Sequence, residues 1–523
     1  MASEKTDSLY SSSSTIRQLL DEQAGFFHDT TYLIDPEANT EYSFAEYNSI
    51  ANQFSAQLGD LGIGRHDRVC LVLGNSSRYN MITHGIQKLG ATAVLVNTGL
   101  LPEDVSYIVQ DSDTSLIITD DEHKRLTDLA LERSPNTRRI LCADMKVSTH
   151  EEEEFSDPRY EYEVLPDDDA LVLYTSGTTG RSKGALLSHL NITHNARAMA
   201  KHSRLYRKRG LNIQPPFYTD GQILMMVSTL MAGASVVQPR DFVISDFWKL
   251  VERYEIQFSA VMPTNLSMLL NLGRREITEK ITSLEFILCS AAPLSPALQE
   301  EFERAFGIPL VEGYGLTEAG SYSTCNLATP KGRFKPGKSD EFRVVGSVGV
   351  PIGNEVRIVD PQTGVEMEAG EVGEIIISGP NVMKGYVNDP QATRETVRNG
   401  WLYTGDLGCL DDRGYYYIRG RKKDIIIHGG QKVFAREVED VLYRNPKVRH
   451  AAIVPVPDKI WGENVKAIIV LRDNCSTTER EIMEYCEKYL AKWKCPEIVQ
   501  FAAEVPLGPS GKILKTALAG TEE

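Results

Sequence analysis

No stretch of this sequence is apolar for long enough to cross a bilayer. The longest run, Ile223 to Val237, is interrupted by Ser228, Thr229, Gly233 and Ser235. It falls short of the roughly 20 residues that a helical span needs, so a buried core segment is expected instead. Positive charge is also in deficit, with 56 Lys and Arg against 72 Asp and Glu and a net charge of -16. That balance disfavours broad nucleic-acid binding, which depends on neutralising phosphates, and leaves room for a local basic site that takes a small anion. The eight cysteines form no C-x-x-C pair and no cysteine and histidine cluster of zinc spacing. They are expected to be reduced thiols in the core. No internal repeat of solenoid period occurs. Residues 1–15 are Ser-rich without an apolar signal region, and Gly520-Thr521-Glu522-Glu523 is neither a prenylation nor a peroxisomal signal. A disordered leader and a cytoplasmic location are the expectations.

What is present is ordinary globular material: 41% hydrophobic and 24% charged over 523 residues. That length suits about three structural units. Ser43 and Glu46 stand in capping-box spacing ahead of Phe44, Tyr47, Ile50, Phe54 and Leu58, which predicts an amphipathic helix. Strands are predicted near Val69, Ala93 and Leu116, with helices over Met81–Leu89 and Val105–Val109 between them; this alternation implies a largely parallel sheet. Val147 to Asp169 reads as an acidic surface excursion before a strand over Leu171–Tyr174. After Gly414 the texture changes to a hairpin at Tyr415–Ile418, the basic Arg419-Gly420-Arg421-Lys422-Lys423, and an apolar run ending at Gly429-Gly430. A helix over Arg436–Tyr443, strands at Ala451–Val456 and Val465–Leu471, and a helix near Glu479–Leu490 complete a small α+β unit of roughly 100 residues.

The sharpest local feature is Tyr174-Thr175-Ser176-Gly177-Thr178-Thr179-Gly180-Arg181-Ser182-Lys183-Gly184, placed after an apolar strand and before the helix-like Ala185–Leu190. Glycines allow successive N–H groups to point inward, hydroxyls add donors and Lys183 adds charge, so the segment can wrap a phosphate. It is not a Walker loop, because Lys183 is followed by Gly184 rather than by Ser or Thr. A flexible surface loop is the alternative reading of this composition.

Further segments follow in order: Ser290-Ala291-Ala292-Pro293-Leu294, Glu312-Gly313-Tyr314-Gly315-Leu316-Thr317-Glu318, Gly400-Trp401-Leu402-Tyr403-Thr404-Gly405-Asp406, Gly420-Arg421-Lys422-Lys423-Asp424 and Pro509-Ser510-Gly511-Lys512-Ile513-Leu514-Lys515. With the glycine-rich loop, they make the chain resemble the adenylate-forming, AMP-binding superfamily over nearly its whole length. Within it, the chain is similar to the acyl-CoA ligase branch that holds the carnitine/crotonobetaine and 4-coumarate CoA ligases. The resemblance implies an α/β fold. Layered α/β subdomains would form a large N-terminal domain over 16–419, and 420–523 would form a small mobile α+β domain with its hinge at 421–424.

The chemistry implied is attack of a carboxylate on the α-phosphorus of ATP, release of pyrophosphate, and transfer of the acyl group to coenzyme A. By resemblance, Thr175, Ser176, Gly177, Thr178, Thr179 and Lys183 would hold phosphates, and Glu312, Gly313 and Tyr314 would bind the nucleotide, with Tyr314 as a stacking face for adenine. Thr317 would donate to the α-phosphate and Glu318 would ligate Mg2+. Asp406 would accept the ribose hydroxyls, with Arg421 reinforcing. Lys512 would bridge carboxylate and α-phosphate, so its loss is expected to lower adenylation rather than binding. Tyr218, Asp220, Ala291 and Gly313 would line the acyl pocket. Lys423 would act as hinge, and Gly429 and Gly430 would approach the main domain to pass a pantetheine arm once the small domain turns.

Three positions depart from the commonest family pattern: Ser182 and Ala435 replace prolines, and Tyr218 stands where many acyl-CoA synthetases have histidine. Tyr218 leaves the acceptor open between coenzyme A, a carrier-protein thiol and an amine, and leaves nitrite activation open as well. Asp220 would suit a cationic or amine-bearing acid, or else bond locally. A catalytically silent binding protein is the reading from a different class, and Lys512 counts against it.

Overall fold

Short apolar runs alternating with amphipathic helices build three sheets before Lys422 and a fourth beyond Asp424. The computed structural model describes residues 9–134, 137–147, 162–175, 181–272, 282–472, 474–506 and 515–518. Ser176, Gly177, Thr178, Thr179 and Lys512 therefore lie outside the described residues, as does most of the acidic excursion. Residues 9–15, read above as leader, are packed: Tyr10 is buried and the Thr15 hydroxyl caps helix Ile16–Phe26.

The predicted capping box is present. The Glu46 amide donates to Ser43 Oγ at 3.1 Å and the Ser43 amide to Glu46 Oε2 at 2.7 Å, which starts helix Phe44–Asp60. Its buried face, with Phe44, Tyr47, Phe54 and Leu58, joins the main core. The alternation predicted next is also seen. Strands Arg138–Leu141, Leu116–Thr119, Arg68–Val72, Thr92–Leu95 and Asp169–Thr175 run parallel in that spatial order within a seven-stranded sheet.

One expectation fails here. Ala185–Ser188 is not helical: Lys183–Ser188 is a strand antiparallel to Asp169–Thr175, and of the expected helix only His189 and Leu190 are helical, in a helix that starts at His189 behind a Ser188 capping box. The side chains alternate as strands require, with Ala185 and Leu187 in one core and Leu186 against another. Asp168 likewise leaves the solvated acidic run, since both its oxygens accept from Arg65, at 2.7 and 3.0 Å.

The nine-stranded sheet has a parallel centre of Leu310–Gly315, Phe286–Cys289, Phe258–Val261, Arg209–Asn212, Ser235–Val237 and Thr31–Asp35. The apolar segment from Ile223 is buried core as expected, a π-helix over Asp220–Val227 that leads through Ser228–Met231 to strand Ser235–Val237. Strand Leu310–Gly315 is braced from below by Glu303 of helix Pro296–Phe306. This carboxylate accepts from the Leu310 amide at 3.0 Å and pairs with the buried Arg343 guanidinium at 3.0 Å.

The third sheet is antiparallel and places Trp401–Leu410 beside Tyr416–Arg421 with Asp406 directly opposite Arg421. A one-turn helix, Lys422–Asp424, then leads into a five-stranded sheet covered by helices Ala435–Tyr443 and Glu479–Glu487, with its own core around Val438, Leu442, Val465 and Ile469. All eight cysteines are unpaired; six are buried, and Cys475 is exposed rather than in the core. Among the described residues no helix is long and apolar enough to cross a membrane.

Candidate active site

The expected nucleotide segment occupies the end of strand Leu310–Gly315 and the turn Thr317–Ala319. Its glycines are needed for close approach. A Cβ on Gly313 would lie 2.4 Å from the Tyr322 ring, and one on Gly315 would lie 1.6 Å from the Ser321 carbonyl oxygen. Between them, the Tyr314 hydroxyl donates to Asp406 Oδ2 at 2.9 Å, while Arg421 Nε lies 3.1 Å from Asp406 Oδ1. Three residues from three predicted motifs thus meet at one carboxylate. Burial, then the Asp406 charge, raises the Tyr314 pKa well above its ordinary value, so the phenol stays a donor. Asp406 is the first cause that raises the Arg421 pKa. An ionised carboxylate offers about four acceptor sites, so Asp406 retains capacity for two more donors.

A second cluster surrounds Glu318. Its Oε1 accepts from the Tyr386 hydroxyl at 2.9 Å, and the Lys183 ammonium lies 5.2 Å from the centre of the Tyr386 ring. Thr175 and Lys183 pair across the antiparallel strands on either side of residues 176–180, with the Thr175 hydroxyl donating to the Lys183 carbonyl at 3.4 Å. No group of three or more His, Cys, Asp or Glu suited to a metal occurs among the described residues. Glu318 as a lone carboxylate fits Mg2+, which binds through one or two carboxylates together with phosphate oxygens and water.

The expected acyl side forms a third cluster. Asp220 accepts from the Ser290 hydroxyl at 2.7 Å and from the Ser321 hydroxyl at 3.1 Å, which ties the π-helix to the segment Ser290–Leu294 and to the chain just after Thr317–Ala319. Ala291 holds φ +66°, a left-handed angle unusual for a residue with a side chain. The Tyr218 hydroxyl accepts from Asn97 at 3.3 Å. Glu312 is buried opposite Cys289, and loss of water raises its pKa to about 7 against the opposing pull of Arg436 and the Leu294 amide. The folded chain therefore holds a proton here that the unfolded chain gives up near 4.5. Stability tied to this group falls as pH rises from there to about 7 and is level above. Glu312→Gln is expected to gain stability on wild type across that window, as urea denaturation at stepped pH values would show.

Beside the expected hinge, Glu374 accepts from the Gly405 amide at 3.1 Å and pairs with Lys422 at 3.1 Å. Lys423 is exposed, and partial desolvation lowers its pKa. Gly429 and Gly430 form an exposed turn with φ of +55° and +82°, against Trp461, whose indole stacks on His428 at 5.2 Å.

Tyr386, Glu374, Ser321 and Arg436 were missed by sequence reasoning. Each is joined to its site partner by tertiary contact with no motif around it, and Tyr386 is 68 residues from Glu318.

Comparison with known proteins agrees with this geometry. The family model described as AMP-binding enzyme matches residues 20–387, and that of the AMP-binding enzyme C-terminal domain matches 437–512. The chain belongs to the AMP-binding enzyme family. It is 31% identical over 492 residues to the long-chain-fatty-acid–CoA ligase FadD13 of Mycobacterium tuberculosis, covering 93% of this chain and 94% of that one. It is 31% identical over 516 residues to an oxalate–CoA ligase of Arabidopsis thaliana, covering 97% and 98%. Among solved structures, the anthranilate CoA ligase AuaEII in complex with anthranoyl-AMP superposes with a TM-score of 0.85 at 26% identity, covering 98% and 97%. The chain is thus an enzyme of ATP-dependent, AMP-forming acid–CoA ligation.

Proposed function

We propose that this enzyme activates a carboxylic acid as its acyl-adenylate and passes the acyl group to coenzyme A, and that the acid carries an amine or another cationic group. The convergence of Tyr314 and Arg421 on Asp406 carries the first part. It leaves a buried carboxylate, braced on two sides, with acceptor sites for the ribose hydroxyls. Lys183, Arg421 and Lys512 would offset phosphate charge. Mg2+, which Glu318 would hold, supplies further charge neutralisation between phosphates when bound. Lys512 would lie between the two reacting groups.

The acid is not chosen by kinship, since the relatives act on a fatty acid, oxalate and anthranilate. The local charge favours a choice. Asp220 sits in a cradle of two hydroxyls, and the Cys289 thiol feels both Glu312 and Asp220 among the causes that raise its pKa. A second carboxylate or a sulfonate on the substrate would face like charge in a medium of low dielectric, whereas an amine would be attracted.

Pyrophosphate exchange into ATP should be measured across short, fatty, aromatic, betaine-like, amino-substituted and dicarboxylic acids, with nitrite included. Amino-substituted or betaine-like acids are expected to exceed dicarboxylic ones by about tenfold or more, and Asp220→Asn to narrow that gap. A preference for oxalate-like acids would refute the substrate assignment. Exchange with nitrite alone would refute acyl transfer. Thioester formation with coenzyme A then tests the acceptor.

A further inference from the structure

Helix Ala435–Tyr443 of the small domain packs against helix Pro296–Phe306 of the large one. From its first turn, Arg436 reaches into the large domain and brings Nη2 to 3.8 Å from Glu312 Oε1, on the strand that carries the nucleotide segment. Both side chains are more than nine-tenths buried. The pair is sparsely bonded: Glu312 Oε2 and Arg436 Nε have no hydrogen-bond partner among the described residues, and Asp440 lies 3.8 Å from Arg436 Nε. A second interdomain ion pair, Arg472 with Glu301 at 3.4 Å, is half exposed and contributes little. On the same helix, Glu439 accepts from Lys515 Nζ at 2.6 Å. One helix therefore links the nucleotide strand, through Arg436, to Lys515, three residues beyond Lys512 in sequence, through Glu439.

We propose that Glu312 and Arg436 form a releasable electrostatic latch that holds the small domain in the arrangement serving adenylation, which makes Arg436 a positioning residue for the Lys512 segment. Burial makes the contact matter, because once Glu312 ionises, near pH 7, removing Arg436 leaves its carboxylate as an uncompensated buried charge. Poor bonding makes it releasable, since a bidentate pair with every donor matched would resist the turn that thiol transfer requires. Arg419, Arg444 and Glu439 act on Asp440 rather than on Glu312, so Arg436 is the cation that Glu312 faces.

This inference rests on the proposed two-step reaction, and its test separates the steps. Arg436→Met keeps the apolar stem and removes the charge. In the full chain, with anthranilate as the amino-substituted probe, the variant is expected to lose about tenfold in the kcat of pyrophosphate exchange with the KM for ATP unchanged. Thioester formation from preformed anthranoyl-adenylate and coenzyme A should stay within about twofold of wild type. Arg436→Lys should recover most of the exchange. Hydrogen exchange with AMP present provides a readout independent of turnover: Arg436→Met should lose protection along Pro296–Phe306 and Ala435–Tyr443 while the small-domain core stays protected. Equal losses in both half-reactions, or unchanged protection on the two facing helices, would overturn the latch. If wild type shows no exchange with any acid, the reading of function fails, and the protection data alone still decide the latch.

Discussion

Asp406→Asn is expected to lower kcat/KM for ATP in pyrophosphate exchange by about a hundredfold, or ~2.7 kcal/mol, chiefly through KM. The carboxylate accepts from the Tyr314 hydroxyl at 2.9 Å and faces Arg421 Nε at 3.1 Å. An amide retains one acceptor oxygen and presents a donor where the other stood, so either the phenol or the guanidinium loses its partner, and the ribose hydroxyls lose an ionic acceptor. The strand itself should persist, because the Asp406 amide is held by Thr404 Oγ1 at 3.0 Å and does not depend on the side-chain charge. Steady-state exchange at varied ATP, with circular dichroism to confirm the fold, checks this. A variant with wild-type KM would remove Asp406 from nucleotide binding.

Gly315→Ala is expected to have the largest effect on stability, a loss of ~4 kcal/mol or more, with the variant expressed at low temperature to supply protein for the measurement. The added Cβ would lie 1.6 Å from the Ser321 carbonyl oxygen and 2.7 Å from the Tyr322 Cα, both backbone atoms that cannot rotate away. The two strands shift register between Tyr314 and Gly315, so separating them there would also displace the Ser321 hydroxyl that donates to Asp220. Gly332→Ala, whose Cβ would meet nothing within 4 Å, is the control and should be close to neutral. Urea denaturation of the two variants beside wild type distinguishes them, and equal midpoints would refute the close-approach argument.

The fold was legible where one segment carries its own signal. Ser43 and Glu46 mark a helix start by side-chain spacing alone, and both capping bonds are present. The alternation of apolar runs with amphipathic segments likewise foretold the parallel strands from Arg68 to Thr119. It misled at Ala185–Ser188, where a short apolar run fits helix or strand equally and pairing with Asp169–Thr175 decided the matter. Of the candidate site, Tyr314, Asp406 and Arg421 were legible through their motifs, although their meeting at one carboxylate depends on strand register. Tyr386 and Arg436 were not legible, since each matters only through a residue far away in sequence.

The central claim is that the acid attacks the α-phosphorus. The acid that gives the strongest exchange should be prepared with heavy oxygen in its carboxylate and turned over with ATP and coenzyme A, and the AMP product weighed by mass spectrometry. The account predicts AMP that carries one heavy oxygen, left behind when the acyl group departs to the thiol. Unlabelled AMP, or ADP as the nucleotide product, would contradict it.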